Sequence, residues 1–203
     1  MDKPQLVLDL AGVVISNFSP RYWKELAKFA QTSHEDFKAR FSIEVREAFW
    51  TGTLSEDEFW LWLVKSYPSI DVTSVRELIK DDLTYLPAFN CLEYWCKIAD
   101  IHLLSNHRLE WLSDLLIPIY PFVRSVTISS EVGLCKPDPN IYKKVESNFV
   151  NSSWILFVDD QAKNLEPAKK LGWKTLLADR ENHWIEEVTL KLRQAKNTKP
   201  EWI

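Results

Sequence analysis

Glycine is scarce in this chain, four among 203 residues, so each one marks a backbone turn that other side chains resist. Gly12 follows an apolar run, Gly52 sits between Thr51 and Thr53, Gly133 precedes Lys136, and Gly172 closes a helical pattern from Ala162 to Leu171 as a left-handed cap. Cysteine is equally sparse. Cys91, Cys96 and Cys135 are an odd number without metal-type spacing, which argues against a disulfide framework and reads as reduced thiols in a cytoplasmic protein. No apolar run approaches the roughly eighteen residues of a membrane-spanning helix, and Met1-Asp2-Lys3 leads straight into a short strand, so neither export nor a membrane partner is expected. A formal charge of -4 provides no net pull toward nucleic acid; the locally basic stretch Lys191 to Lys199 reads as a solvated tail. Internal repeats and low-complexity segments are also missing.

What is present points to one buried core with room for a small second lobe, since 46% of the residues are hydrophobic. Apolar runs of strand length recur at Leu6 to Leu8, Ile101 to Leu104, Val126 to Ile128, Ile155 to Val158 and Thr175 to Leu177, separated by helix-patterned segments. That alternation predicts an α/β fold, a Rossmann-like, doubly wound parallel sheet covered on both faces. The interval from Ser16 to Ala88 is helical in pattern throughout and is expected to form an inserted lobe of four or five short helices, with residues 1–15 and 89–203 forming the α/β core. Its start signals are Ser19-Pro20, Ser55-Glu-Asp-Glu58 and Ser74-Val-Arg-Glu77. Its aromatics, among them Trp23, Phe29, Phe37, Phe41, Phe49, Trp50, Phe59, Trp60 and Trp62, read as bundle core.

In a doubly wound sheet, ligands bind beyond the carboxyl ends of the strands. Asp9 ends the first apolar run, where a nucleophilic carboxylate would sit. Ser105-Asn106 follows the second run and Asp159-Asp160 the fourth, and Lys136 stands just before a helix that Asp138 can cap and Pro139 can open. Together these groups describe a phosphate site: the lysine and hydroxyl neutralise phosphoryl oxygens while the carboxylates hold Mg²⁺, a hard cation suited to oxygen ligands. Each has a plainer alternative taken singly. Asp9 could cap a turn, Asp160 could cap the helix near Ala162, Ser105-Asn106 is a common turn dipeptide, and Lys136 before a proline is ordinarily a surface lysine.

The chain resembles haloacid dehalogenase (HAD) superfamily hydrolases, with four motifs in order: Leu6 to Val14, Leu103-Leu-Ser-Asn106, Lys136-Pro-Asp-Pro139, and Val158-Asp-Asp160 with Asn164. The inserted lobe resembles the small helical cap of subfamily I, and Glu47-Ala-Phe-Trp-Thr-Gly52 followed by Ser55 to Phe59 resembles a bacterial branch acting on sugar phosphates. The resemblance implies a Mg²⁺-dependent hydrolase of a small phosphorylated metabolite. Asp9 would be the catalytic nucleophile that forms an aspartyl-phosphate, and Ser105, Asn106 and Lys136 would bind the phosphoryl group. The metal would be held by Asp9, Asp160, Asp159 and the backbone carbonyl of Ala11.

At position 11 the family usually carries a second aspartate that protonates the leaving alkoxide and activates water; here it is Ala11. The resemblance therefore also admits an impaired phosphate-binding or partner-binding protein, and a phosphonoacetaldehyde hydrolase-like enzyme in which Lys24, Lys28 or Lys38 would form a Schiff base. A dehalogenase, which works without metal, would leave Asp159-Asp160 superfluous. His107 and Glu47 are candidate substitutes for the missing acid, and Asn164 reads as a support of its loop.

Overall fold

In the computed structural model, residues 3–17, 20–150 and 154–197 are described. Five strands form the sheet: β1 (Gln5–Leu8), β2 (Asp100–Ser105), β3 (Ser125–Ile128), β4 (Ile155–Asp159) and β5 (Lys174–Leu177). All pairings are parallel and the order is β3-β2-β1-β4-β5. All five expected strands are present. The chain winds outward from β1 through β2 to β3, then crosses back to lay β4 on the other side of β1. The switch point therefore falls at β1, and the ends of β2, β1 and β4 lie side by side there.

The period-two alternation of strand side chains builds two cores. Leu6, Leu8, Ile101, Leu103, Leu156 and Val158 face one layer, packing with α6 (Leu92–Ile98), α7 (Leu109–Leu116) and α11 (His183–Asn197). Val7, Leu104 and Phe157 face the other, with Ile141, Tyr142 and Val145 of α9 (Pro139–Glu146) and Leu165 and Ala168 of α10 (Ala162–Lys170). On that second face His102 is fully buried, its Nε2 2.8 Å from Gln5 Oε1 and its Nδ1 2.8 Å from Ser125 Oγ.

Between β1 and β2 run α1 (Pro20–Phe29), α2 (His34–Glu44), α3 (Arg46–Trp50), α4 (Glu56–Ser66) and α5 (Val72–Asp82). Phe37, Phe41, Phe49, Phe59 and Trp60 are buried in the same continuous cluster as Leu6 and Leu8, so the aromatic bundle and the first sheet face share one core; Phe29, at 38% exposed, stands outside it. The segment leaves and rejoins the sheet through a paired stem: Ser16 N–H donates to Thr84 O, Leu86 N–H donates to Val14 O, and Ile15 bridges Tyr85.

Ser55 caps α4 with a complete capping box, Glu58 reaching back to its backbone N–H. At α5 the expectation of a start at Ser74 is corrected: the helix begins at Val72 under Asp71, whose carboxylate accepts the Thr73 and Ser74 N–H groups and the Ser74 hydroxyl. An aspartate offers two acceptor oxygens, so it caps the earlier turn and absorbs the serine. Ser19 lies outside the described residues. The basic stretch at the carboxyl end is not a loose tail over its described part, because 191–197 are the last turns of α11; Lys199 lies outside the described residues. A short helix α8 (Ser129–Val132) follows β3, and no helix among the described residues is long and apolar enough to cross a membrane. All three cysteines are free.

Candidate active site

At the switch point the chain brings together the groups that sequence reading dispersed over 150 residues. Asp9, 4% exposed, leaves β1 with its Oδ1 accepting the Leu10 N–H at 2.7 Å. Lys136, equally buried, extends Nζ to Asp9 Oδ1 at 2.9 Å, to Asp159 Oδ2 at 2.6 Å and to Leu104 O at 3.1 Å, so each of its three N–H groups has an acceptor. Asp9, Asp159 and Asp160 each offer an oxygen within 4.8 Å of the others.

Both contacts of Asp9 fall on Oδ1; among the described residues Oδ2 has no hydrogen-bond donor. Burial raises the Asp9 carboxyl to about 8, with the Lys136 ammonium opposing and Asp159 and Asp160 adding to the rise. Asp160 is raised too, first by burial and then by Asp159. For Lys136, burial alone would lower the pKa; the two carboxylates outweigh it and the ammonium is held firmly protonated. Three carboxyl groups gather around one ammonium, and the raised Asp9 and Asp160 show that their ionised forms are short of positive charge there, a shortfall that a cation would relieve. The fit is supported by Asp160 Oδ1, which is buried without a hydrogen-bond partner. Hard oxygen donors around a charge deficit suit Mg²⁺.

Ser105, wholly buried at the end of β2, likewise has an unpartnered Oγ, as a hydroxyl awaiting an oxyanion would. Asn106 is different. Its Oδ1 accepts the Lys136 N–H at 2.7 Å and its Nδ2 donates to Lys136 O at 2.8 Å. The Asn106 amide is thus committed to gripping the backbone on both sides of Lys136, which aims the ammonium. Asn164 donates to both oxygens of Asp159, and Asp159 Oδ1 also accepts the Gln161 N–H, so the loop support expected of Asn164 acts through that carboxylate. Gln161, rather than Asp160, holds the position before α10. Asp138 caps α9 as expected. Ala11 follows Asp9 in the turn, its methyl packed against the core.

The two candidate substitute acids stand in different settings. His107 is buried, its Nδ1 accepting the Arg108 N–H, its ring against Trp50 and Trp111; burial lowers it to about 4, so it is neutral near pH 7. Glu47 is exposed on α3. Lys24, Lys28 and Lys38 are all exposed as well, and Lys28 pairs with Glu25 at 2.6 Å; none lies in the apolar pocket that a Schiff-base lysine uses.

Asn17, Arg108 and Ser129 were not found from the sequence, whereas Gly12 was marked there as a turn. Asn17 donates to Asp160 Oδ2 at 2.8 Å. Gly12, at φ +87°, lies so close to Asn17 Nδ2 and the Asp160 carboxylate that a Cβ there would collide with both. Arg108, 3% exposed, donates from Nη1 to Phe49 O and Leu54 O while its other edge holds Glu110, tying the α3–α4 turn to the loop after β2. Ser129 adds a second tie, its hydroxyl donating to Trp50 O at 2.7 Å. The adjacency of Arg108 to Ser105-Asn106 was the one available signal, and an arginine in a loop is too common to read.

No protein-family model matches the chain. Among solved structures, the HAD family enzyme bt-2542 from Bacteroides thetaiotaomicron superposes with a TM-score of 0.81 at 21% identity, over 93% of this chain and 99% of that one. A HAD-like family hydrolase from Porphyromonas gingivalis superposes at 0.77 with 22% identity, over 95% and 99%. The bt-2542 enzyme in complex with magnesium and inorganic phosphate aligns at 0.77 with 20% identity, over 90% and 97%. Among curated proteins, D-ribitol-5-phosphate phosphatase of Bacteroides thetaiotaomicron is 30% identical over 105 residues, 47% of this chain and 51% of that enzyme. Rat bifunctional epoxide hydrolase 2 is 28% identical over 83 residues, 40% of this chain and 15% of that protein. The chain thus spans about half or less of the curated relatives it matches. The fold these likenesses define is that of the HAD hydrolases. Within it, the chain resembles sugar-phosphate phosphatases.

Proposed function

We propose that this chain is a Mg²⁺-dependent phosphoryl hydrolase of the HAD type that acts on a small phosphorylated metabolite through an aspartyl-phosphate on Asp9. The observation that carries the reading is the meeting of Asp9, Asp159, Asp160 and Lys136 at one strand-end switch point, with the unpartnered Ser105 hydroxyl in the same set of strand ends. Residues 16–88 act as the cap over a core of 1–15 and 89–203. A sugar phosphate is the substrate class indicated by the ribitol-phosphate phosphatase relative, and the three free thiols suit a reducing cytoplasmic setting.

Asp9, Asp159 and Asp160 would hold the metal, with the Ala11 carbonyl beside them. When bound, Mg²⁺ neutralises the carboxylate cluster and draws charge from a phosphoryl oxygen. Asp9 Oδ2, the oxygen without a donor, attacks phosphorus. Lys136 steadies the carboxylate through Oδ1, Ser105 donates its hydroxyl to a phosphoryl oxygen, and Asn106 keeps Lys136 aimed. Incubation with Mg²⁺ and acetyl phosphate followed by mass spectrometry is expected to show a phosphoryl group on Asp9, absent in Asp9→Asn. Unmodified Asp9 under every condition refutes the reading.

Ala11 favours a second reading, a pocket that keeps phosphate but has lost efficient turnover. Of interest here, an aspartate-to-alanine variant of bt-2542 was crystallised with magnesium and inorganic phosphate. Ala11→Asp separates the two. A gain of roughly hundredfold or more in hydrolysis marks an intact but disarmed site, and no gain over brisk wild-type turnover marks a specialised enzyme.

A further inference from the structure

We infer, resting on the reading of Asp9 as phosphoryl acceptor, that this site selects its donors by leaving group. It takes phosphoryl groups readily from donors whose leaving group departs as a stable anion, acyl phosphates above all, and slowly from alkyl esters. The basis is what surrounds Asp9. The segment that follows it, Leu10-Ala-Gly-Val-Val-Ile-Ser-Asn17, folds back on itself through a bridge between Ala11 and Ile15 and carries no titratable side chain. The Ala11 methyl packs against the core, Gly12 has no side chain, and the Asn17 amide already donates to Asp160. Lys136 has all three N–H groups committed. Asp159 and Asp160 belong to the cation. His107 is turned into the Trp50 and Trp111 contact and held neutral by burial. The Tyr142 hydroxyl, which feels both Asp9 and Asp159, donates to Asn164 O at 2.7 Å and is held well above its ordinary range by burial. None of these side chains is free to hand a proton to a leaving oxygen.

The consequence depends on what leaves. An alkoxide, whose parent alcohol is about as weak an acid as water, departs slowly without a proton, and the missing general acid is worth about 10² to 10⁴ in rate. A carboxylate, whose acid has a pKa of roughly 4, needs none. In the first step an Asp9 oxygen bonds to phosphorus as the phosphorus–oxygen bond to the acyl group breaks, and the carboxylate leaves with the electron pair and no proton. In the second, water oxygen bonds to phosphorus, the Asp9–phosphorus bond breaks with its electron pair returning to Asp9, and water yields one proton to the departing phosphate or to solvent. This step lacks a base as well, so phosphorylated Asp9 builds up.

Rapid-quench kinetics on the full chain with MgCl₂ tests the inference, using acetyl phosphate, aryl phosphates from dinitrophenyl to phenyl, and ribitol 5-phosphate. Acetyl phosphate is expected to release a burst of about one acetate per Asp9 with matching phospho-Asp9, while aryl rates fall steeply as the phenol becomes a weaker acid and the alkyl ester trails by at least about 10². Ala11→Asp should raise the alkyl rate by about 10² to 10⁴ and shorten the life of the phosphoenzyme. A flat dependence on leaving group while Asp9 becomes phosphorylated overturns the inference alone. No phospho-Asp9 from any donor overturns the proposed function with it. The wild-type series decides the matter even if the variant does not fold.

Discussion

Lys136 is the residue on which the site's electrostatics turn. It is buried between two carboxylates, and its removal leaves both without a cation. Lys136→Met is therefore expected to cost about 3 to 5 kcal/mol, as breaking one side of a buried ion pair does, read as a shift in the urea midpoint at neutral pH without metal. Asp160 carries the complementary test. Mg²⁺ at a hundredfold excess over its dissociation constant should stabilise the wild type by roughly 2.7 kcal/mol, or about 2 to 4 °C per kcal/mol for a chain of this size. Asp160→Asn should shrink that rise in melting temperature markedly; an equal rise in both proteins would remove Asp160 from the metal site.

At the scale of elements, the inserted helices are joined to the sheet by more than their paired stem. Arg108 and Ser129 bind the α3–α4 turn at its backbone carbonyls, and Gly52, at φ +78° with Ser130 O where its Cβ would be, lets the turn approach α8. Removing the guanidinium in Arg108→Met strands the Phe49 and Leu54 carbonyls. A loss of roughly 2 to 3 kcal/mol is expected, with faster amide exchange concentrated at 49–54. Uniform loss of protection across the protein would instead show Arg108 to be an ordinary core residue. Element boundaries were legible where local chemistry dominates: Ser55 and Glu58 satisfy one another within a single turn. Ser74 misled because Asp71, three residues earlier, competes for the same N–H groups with two oxygens.

Across the whole molecule, two neutral histidines are locked in. Burial lowers His102 and His107 to about 4 from an ordinary 6.5. The unfolded chain binds more protons than the native one between those values, so their contribution is complete above about pH 6.5 and is lost as pH falls toward 4. For His102 this is on the order of 3 kcal/mol. The Asp9 carboxyl, raised by burial, runs the opposite way and gains as the solution turns acid. The histidine effect is therefore read as a difference: between pH 7 and pH 4 the wild type should lose about that much stability relative to His102→Gln, by denaturant melts at each pH. Parallel pH profiles would refute it.

By itself the sequence determined the five strands, the position of the helical insertion, and the candidacy of Asp9, Ser105, Lys136, Asp159 and Asp160, because apolar runs of strand length and acidic or basic residues at their carboxyl ends are local patterns. The tertiary structure alone decided that Asn106 grips the Lys136 backbone thirty positions away, that Asn17 steadies Asp160, and that His107 is withdrawn into an aromatic wall. Those outcomes depend on which strands lie next to which and on how deeply each group is desolvated. Hydrogen-bond partners and burial are properties of the packed chain, and a run of letters carries them only where the partner is a near neighbour.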